Sequence, residues 1–294
     1  MKLLAFGEVL WDIIDDDAHL GGAPLNYAAH TAQCGGDAAI MSRLGSDRLG
    51  EDAKNRISKL NLDTLLLQVD PHKPTGTVPV KLIDGQPDYF ITPDVAFDYI
   101  DFEDAKSVLS NTPFDVLYFG TLIQRAHSAK ALRTILSNYD FKLRFYDVNL
   151  RKDCYRKEII SFSLENADVV KLNEDEAAEI GEMLWSEKLT SADFVLELRK
   201  AFPNIKHVII TAGAKGCYIY HDHTLHLVAS EPVHVVDAIG AGDSFSAAFM
   251  FSFFKTGDIL RAAEIGNKVG GYVASSAGAI PAYSQEIKDL LTSL

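Results

Sequence analysis

Apolar and polar positions along this chain alternate between two patterns. Short, largely apolar runs at residues 3–6, 38–41, 116–119, 143–148, 169–172 and 207–211 read as strands buried on both faces. Between them apolar positions recur at helical spacing, as with Ala53, Ile57 and Leu60 in a helix expected over 48–60. Further helices are expected over 128–137, 158–166, 174–182, 192–202, 244–255, 259–276 and 284–291. The flanking residues suit these boundaries. Pro24 fits the first turn of a helix that opens at Gly21-Gly22 and closes at Gly35-Gly36, Asp47 and Asp258 fit N-caps, and Gly257 fits a helix end. Strands alternating with helices in this way predict an α/β fold with a mostly parallel sheet covered on both faces. Residues 77–83 and 88–92 break the alternation and read as two strands joined around Asp84-Gly85, in a small separate sheet. A second hairpin is expected at 217–221 and 225–228, and residues 233–236 read as a strand end.

The chain has 294 residues, 47% of them hydrophobic, enough for one large core with an appendage. Its formal charge of -13 disfavours a nucleic-acid backbone or an anionic membrane as partner. A phosphorylated ligand stays open, because local N–H groups and a metal can hold one. Cys34, Cys154 and Cys217 are widely separated and odd in number, which predicts no disulfide framework and a reducing, cytoplasmic setting. Glu8 and Asp12 come too early for a secretory leader, and the apolar stretch near 247–254 is far short of a membrane span.

The densest chemistry lies in Val236-Asp237-Ala238-Ile239-Gly240-Ala241-Gly242-Asp243-Ser244-Phe245. Gly240, Ala241 and Gly242 precede a long apolar helix, so helix N-terminal N–H groups are open to an anion. A carboxylate beside an anion hole needs a reason, and general-base activation of a hydroxyl attacking a phosphoryl group supplies one for Asp243. An acidic cap after a glycine turn is the other reading. The segment is not a P-loop, which needs Lys where Asp243 stands.

Four other clusters carry candidate chemistry, each with a plainer structural alternative. Thr211-Ala212-Gly213-Ala214-Lys215-Gly216 fits close approach of a nucleotide, or a tight connection between strands. In Lys171-Leu172-Asn173-Glu174-Asp175-Glu176, Asn173 and Glu176 fit a hydrated Mg²⁺, or a solvated acidic helix start. Asp12, Gly21, Gly22 and Asn26 fit polyol recognition, since carboxylate and amide groups pair with adjacent hydroxyls, or they are turn and cap residues. Arg151, after Asp147-Val148-Asn149-Leu150, fits a clamp on a phosphoryl oxygen, or a surface ion pair. His221, His223 and His226 read as surface residues.

Together these residues resemble the PfkB, or ribokinase-like, family of carbohydrate kinases over nearly the whole chain. The most specific match is 237–245, similar to the family's C-terminal signature with Ala238 where Thr is frequent. The resemblance implies one kinase domain over 1–294, with a mostly parallel central sheet flanked by helices and a small β lid formed mainly by 9–20 and 75–99. It implies an anion hole at Gly240, Ala241 and Gly242, with Asp243 as catalytic base and Arg151 beside the phosphoryl group. On the nucleotide side it implies Lys171, Asn173, Thr211, Gly213, Gly216 and Asn267, with Mg²⁺ held by Asn173 and Glu176 through water. A K⁺ site is implied near Asp237, Ile239 and 276–284, built largely from backbone carbonyls.

Within the family, residues 6–12, 20–26, 119–125 and 147–151 are most similar to fructokinases. This implies Asp12, Gly21, Gly22 and Asn26 on the sugar and Phe97 as an apolar face from the lid. The reaction implied is transfer of the ATP γ-phosphoryl group to a primary hydroxyl of D-fructose. A kinase for ribose, a nucleoside or 2-keto-3-deoxygluconate is the enzyme alternative, and a non-catalytic sugar or nucleotide sensor is a different class. The partners implied are the sugar and ATP, and an exposed lid sheet suits pairing across a homodimer.

Overall fold

The computed structural model describes residues 1–14, 17–83 and 86–294. The first half of the chain forms β1 (Lys2–Phe6), β2 (Leu10–Ile14), β3 (Asp17–Gly21), α1 (Ala23–Gln33), β4 (Asp37–Gly45), α2 (Arg48–Ile57), β5 (Leu67–Asp70), β6 (Gly76–Ile83), β7 (Gln86–Tyr89), α3 (Phe102–Asn111), β8 (Val116–Gly120), α4 (Ser128–Asn138) and β9 (Leu143–Asp147). The second half forms α5 (Lys157–Asn166), β10 (Val169–Asn173), α6 (Glu174–Trp185), α7 (Ser191–Ala201), β11 (His207–Thr211), β12 (Gly216–His221), β13 (Thr224–Ala229), α8 (Ala241–Thr256), α9 (Ile259–Ala274) and α10 (Gln285–Thr292).

Nine strands make the central sheet, in the order β13-β12-β11-β10-β9-β8-β1-β4-β5. From β11 to β5 all neighbours are parallel, and β12 and β13 add an antiparallel edge. Leu3, Leu4, Ala5 and Phe6 of β1 are all fully buried, which explains their continuous apolar run. Leu4 and Phe6 pack in the core shared with α3 to α7. Leu3 and Ala5 pack in the core shared with α1, α2, α8 and α9. The sheet is therefore covered on both faces. Its chain order reverses at β1, which lies between β8 and β4, and such a switch point opens a crevice at the carboxyl ends of the strands.

The second sheet has the order β3-β2-β6-β7, with β2 antiparallel to β3 and parallel to β6. β6 and β7 pair as the expected hairpin, and its Asp84-Gly85 turn lies outside the described residues. The second strand starts and ends earlier than expected, although Phe90 and Thr92 still donate backbone bonds to Pro79 and Thr77. Residues 233–236 are not a strand. Val235 and Val236 are 59% and 57% exposed, and the Val236 N–H donates to Ala274 O at the end of α9 rather than to a sheet. The three cysteines are free. Among the described residues, no helix is long and apolar enough to cross a membrane, and no group of three or more His, Cys, Asp or Glu is arranged to hold a metal ion.

Candidate active site

A cavity of about 360 Å³ opens at the switch point, between the carboxyl ends of the central strands and the small sheet. Leu10, Val78, Ile91 and Leu122 form its apolar wall. Glu8 reaches it from the end of β1, Asp12 from β2, Gly22 and Asn26 from the start of α1, and Arg151 from the loop after β9. Lys171 from β10 and Gly240, Gly242 and Asp243 from the start of α8 complete the polar side. Residues far apart in sequence thus converge because each follows or ends an element fixed by the sheet.

Gly240 is left-handed, with φ 79°. A Cβ there would lie 2.3 Å from Ala279 O, so only glycine fits the turn. Among the described residues no side chain caps α8; the Ala241 N–H donates to Ala238 O at 3.3 Å, and the Gly242 and Asp243 N–H groups stay free for an anion. Asp243, in the first turn, is half-buried and accepts a hydrogen bond from Asn26 Nδ2 at 2.8 Å. Burial pushes its carboxyl up to about 6; Asp147 adds to the rise, while the Asn26 bond, Lys171 and Arg151 oppose it.

Lys171 is buried and pairs with both Asp147 oxygens at 3.1 and 3.3 Å. Its Nζ lies 3.3 Å from where a Cβ on Gly242 would sit. Lys171 therefore stands against the anion-hole turn, on the wall of the cavity that also holds Asp12 and Asn26. Burial works against its charge, but Asp147, Glu176 and Asp243 outweigh burial and raise its pKa. Asp12 is half-buried, and burial raises its carboxyl against the pull of Arg151 and His19. Gly21 lies beside it; a Cβ there would be 3.0 Å from Asp12 Oδ2.

Glu8 escaped sequence reasoning as a site residue. It is 4% exposed and, among the described residues, its Oε2 has no hydrogen-bond partner. Burial pushes it up to about 7; the Glu8 and Ala23 N–H groups and Arg151 oppose the rise, and Asp243 adds to it. The available signal was a carboxylate separated only by Gly7 from the apolar run at 3–6, where the chain has not yet reached solvent.

Phe97 does not face the cavity. It is fully buried, and a Cβ on Gly76 would lie 2.5 Å from its ring. The Arg125 guanidinium, fixed by both Asp98 oxygens at 2.7 and 2.8 Å, lies over the ring at 5.0 Å from its centroid. The turn at Ala96–Tyr99 points Phe97 inward under β6, so the apolar wall comes from Leu10, Val78, Ile91 and Leu122 instead.

Asn173 and Glu176 form a capping box at the start of α6. Asn173 Oδ1 accepts from the Glu176 N–H and Glu176 Oε2 from the Asn173 N–H, both at 2.8 Å. Glu176 Oε1 accepts from the Leu150 N–H at 2.8 Å, tying α6 to the loop that carries Arg151. Each carboxylate oxygen keeps a further lone pair, so the pair fits a hydrated cation through water. Thr211 is opposite Asn173 in the sheet register, on the same strand ends. Gly213 is open, whereas a Cβ on Gly216 would lie 2.1 Å from Val228 O, so strand packing alone requires that glycine. Asn267 donates to Val228 O at 2.9 Å and holds the end of β13. Asp237 staples two segments: its oxygens accept from the Ile239 N–H at 2.9 Å and the Gly278 N–H at 3.2 Å. Ile239 lines the cavity.

The profile of the pfkB family carbohydrate kinases matches residues 6–286. Over 306 aligned residues the chain is 26% identical to the fructokinase of Escherichia coli, covering 96% of this chain and 95% of that one. Among solved structures, an uncharacterized sugar kinase from Pyrococcus horikoshii in complex with ATP superposes with a TM-score of 0.81 at 26% identity, over 100% of this chain and 98% of the other. Fructokinase from Vibrio cholerae O395, bound to fructose, ADP and calcium ion, superposes with a TM-score of 0.84 over 99% and 98% of the two chains. At 22% identity that likeness speaks to the shared ribokinase-like fold.

Proposed function

The chain belongs to the pfkB family of carbohydrate kinases, and we propose that it transfers the γ-phosphoryl group of ATP to a primary hydroxyl of D-fructose. The observation that carries this reading is Asp243: a carboxyl crowded by protein, bonded to Asn26, in the first turn of an uncapped helix. Asp12 and Asn26 orient the sugar. Its hydroxyl oxygen attacks the γ-phosphorus, the bridging bond to ADP breaks, and Asp243 takes the hydroxyl proton. The free N–H groups of Gly242 and Asp243, with Arg151, stabilise charge on the transferring group. ATP lies toward the ends of β10 and β11, beside Asn173, Thr211 and Gly213. Asn173 and Glu176 would hold Mg²⁺ through water, where it would neutralise phosphate charge, and Asp237 and Ile239 would hold a monovalent cation beside the anion-hole turn. The small sheet closes as a lid on a single kinase unit and excludes water that would otherwise accept the phosphoryl group.

Fructose is favoured over a sugar acid by charge. Asp12 and Asp243 share the cavity with Arg151 and with Glu8, which burial holds near 7 and only partly ionised, while Lys171 is already paired with Asp147. That surplus of carboxyls repels a second carboxylate, which argues against 2-keto-3-deoxygluconate. Turnover of fructose, ribose, a nucleoside and 2-keto-3-deoxygluconate with ATP, with the phosphorylated position assigned by NMR, tests the reading. Faster turnover of any of the others removes fructose as the substrate. Ligand binding with no ADP released makes the chain a sensor.

A further inference from the structure

We propose that His30 is a positioning residue for phosphoryl transfer, holding the Gly240 turn through the carbonyl of Ala279. The proposal rests on that turn being the anion hole. Asn26, His30 and Gln33 recur at helical spacing and make a polar stripe on α1, on a helix whose residues from Pro24 to Thr31 are buried. Such a stripe is costly in a core unless every polar group is satisfied. Each member has a partner at the site, with Asn26 Oδ1 left unpaired among the described residues. Asn26 donates to Asp243. His30 Nε2 lies 2.9 Å from Ala279 O, and its Nδ1 lies 2.8 Å from the Tyr283 hydroxyl. Gln33 donates to Pro281 O at 3.2 Å and accepts from the Tyr283 N–H at 3.0 Å.

Ala279 is the link to the anion hole. Its carbonyl and Cα would lie 2.3 and 2.8 Å from a Cβ on Gly240, so the two backbones are in direct contact. On the other side, Asp237 ties Gly278 to Ile239. The segment before α10 is thus braced from α1 and from the start of the anion-hole loop together.

The tautomer follows from the partners. A carbonyl only accepts, so Nε2 carries the proton and Nδ1 accepts from the Tyr283 hydroxyl. Burial lowers the His30 pKa to about 4, so the neutral ring persists across physiological pH. The other titratable groups packed on it, Cys34 and Tyr283, are both pushed up by burial and stay neutral as well.

Two variants test this. His30→Leu keeps the volume but orphans Ala279 O, whereas His30→Gln retains a donor. The expected kcat of folded His30→Leu is about tenfold below the parent, less than the loss of a direct anion-hole donor. Sugar and ATP dissociation constants should stay within about threefold, since no ligand-facing group has changed. His30→Gln should recover most of kcat. A second readout needs no catalysis. The Ser244 N–H donates to Gly240 O at 2.9 Å, so its amide exchange in the ligand-free protein reports the turn directly. It should quicken in His30→Leu and return toward the parent in His30→Gln. Should His30→Leu not fold, His30→Met, which also lacks a donor for Ala279 O, carries the same exchange test. Unchanged Ser244 exchange in the folded variants, or loss of kcat that His30→Gln does not relieve, overturns the proposal. A parent enzyme without sugar turnover would instead overturn the reading of the reaction, and the exchange result would still decide the role of His30.

Discussion

Replacing Asp243 by Asn separates the chemistry of the site from its architecture. The change nearly preserves volume, leaves the Gly240 turn intact, and keeps a partner for Asn26 once the new amide is oriented. It removes the proton acceptor. The expected fall in kcat is at least about 10²-fold, the range of general acid–base contributions, with fructose and ATP still bound. The parent should lose activity as pH falls through about 6, because the base must be ionised; the residual activity of the variant should lack that limb. Stability should move the other way. A carboxyl held near 6 rather than near 4 opposes folding by about 3 kcal/mol once ionised, and partial exposure of Asp243 screens this to roughly 2 kcal/mol. Because the folded value is raised, that stability is fully present below about pH 4 and lost as pH rises through about 6. The variant is free of the loss, so above pH 7 its melting temperature should exceed the parent's by roughly 4 °C, and the gap should close below pH 4. Steady-state rates, calorimetric titration of both ligands and melting curves from pH 4 to 8 read all three effects. Near-parental turnover in the folded variant would refute Asp243 as the base, and a melting difference independent of pH would refute the crowded, raised carboxyl.

Asp12→Ala should raise the fructose KM at least about tenfold with ATP affinity unchanged, since a hydrogen bond to a charged group is worth about 1.5–3 kcal/mol; equal loss of ATP binding in a direct titration would remove Asp12 from the sugar side. Glu8→Gln should gain melting temperature relative to the parent between about pH 4.5 and 7 and hold that gain above 7, because burial raises the parent carboxyl to about 7; no pH dependence in paired melting scans would contradict its placement. Phe97→Ala should destabilise by about 3–5 kcal/mol, the cost of a buried aromatic cavity; a change confined to sugar KM, with unfolding in denaturant unaltered, would return Phe97 to the cavity wall.

Features that depend on a few neighbouring residues were legible in the sequence. The turn at Gly240–Gly242 ahead of α8, the caps at Asp47 and Asp258, the end of α8 at Gly257 and the buried run of β1 all appear where the residues imply them. The convergence of Asp12, Asn26, Arg151 and Asp243 was reached through family resemblance, and only folding made it a contact: Asn26 and Asp243 are 217 positions apart yet 2.8 Å from each other. Features that depend on which distant surfaces meet were not legible. β5 is a short strand defined by its pairing with β4, the apolar residues at 233–236 stay exposed beside α9 rather than joining a sheet, and Phe97 turns inward because Gly76 and Arg125 enclose it. Glu8 and the raised Asp243 carboxyl belong to the same class. A sequence specifies which groups can ionise, but desolvation by residues brought from elsewhere in the chain sets where they do.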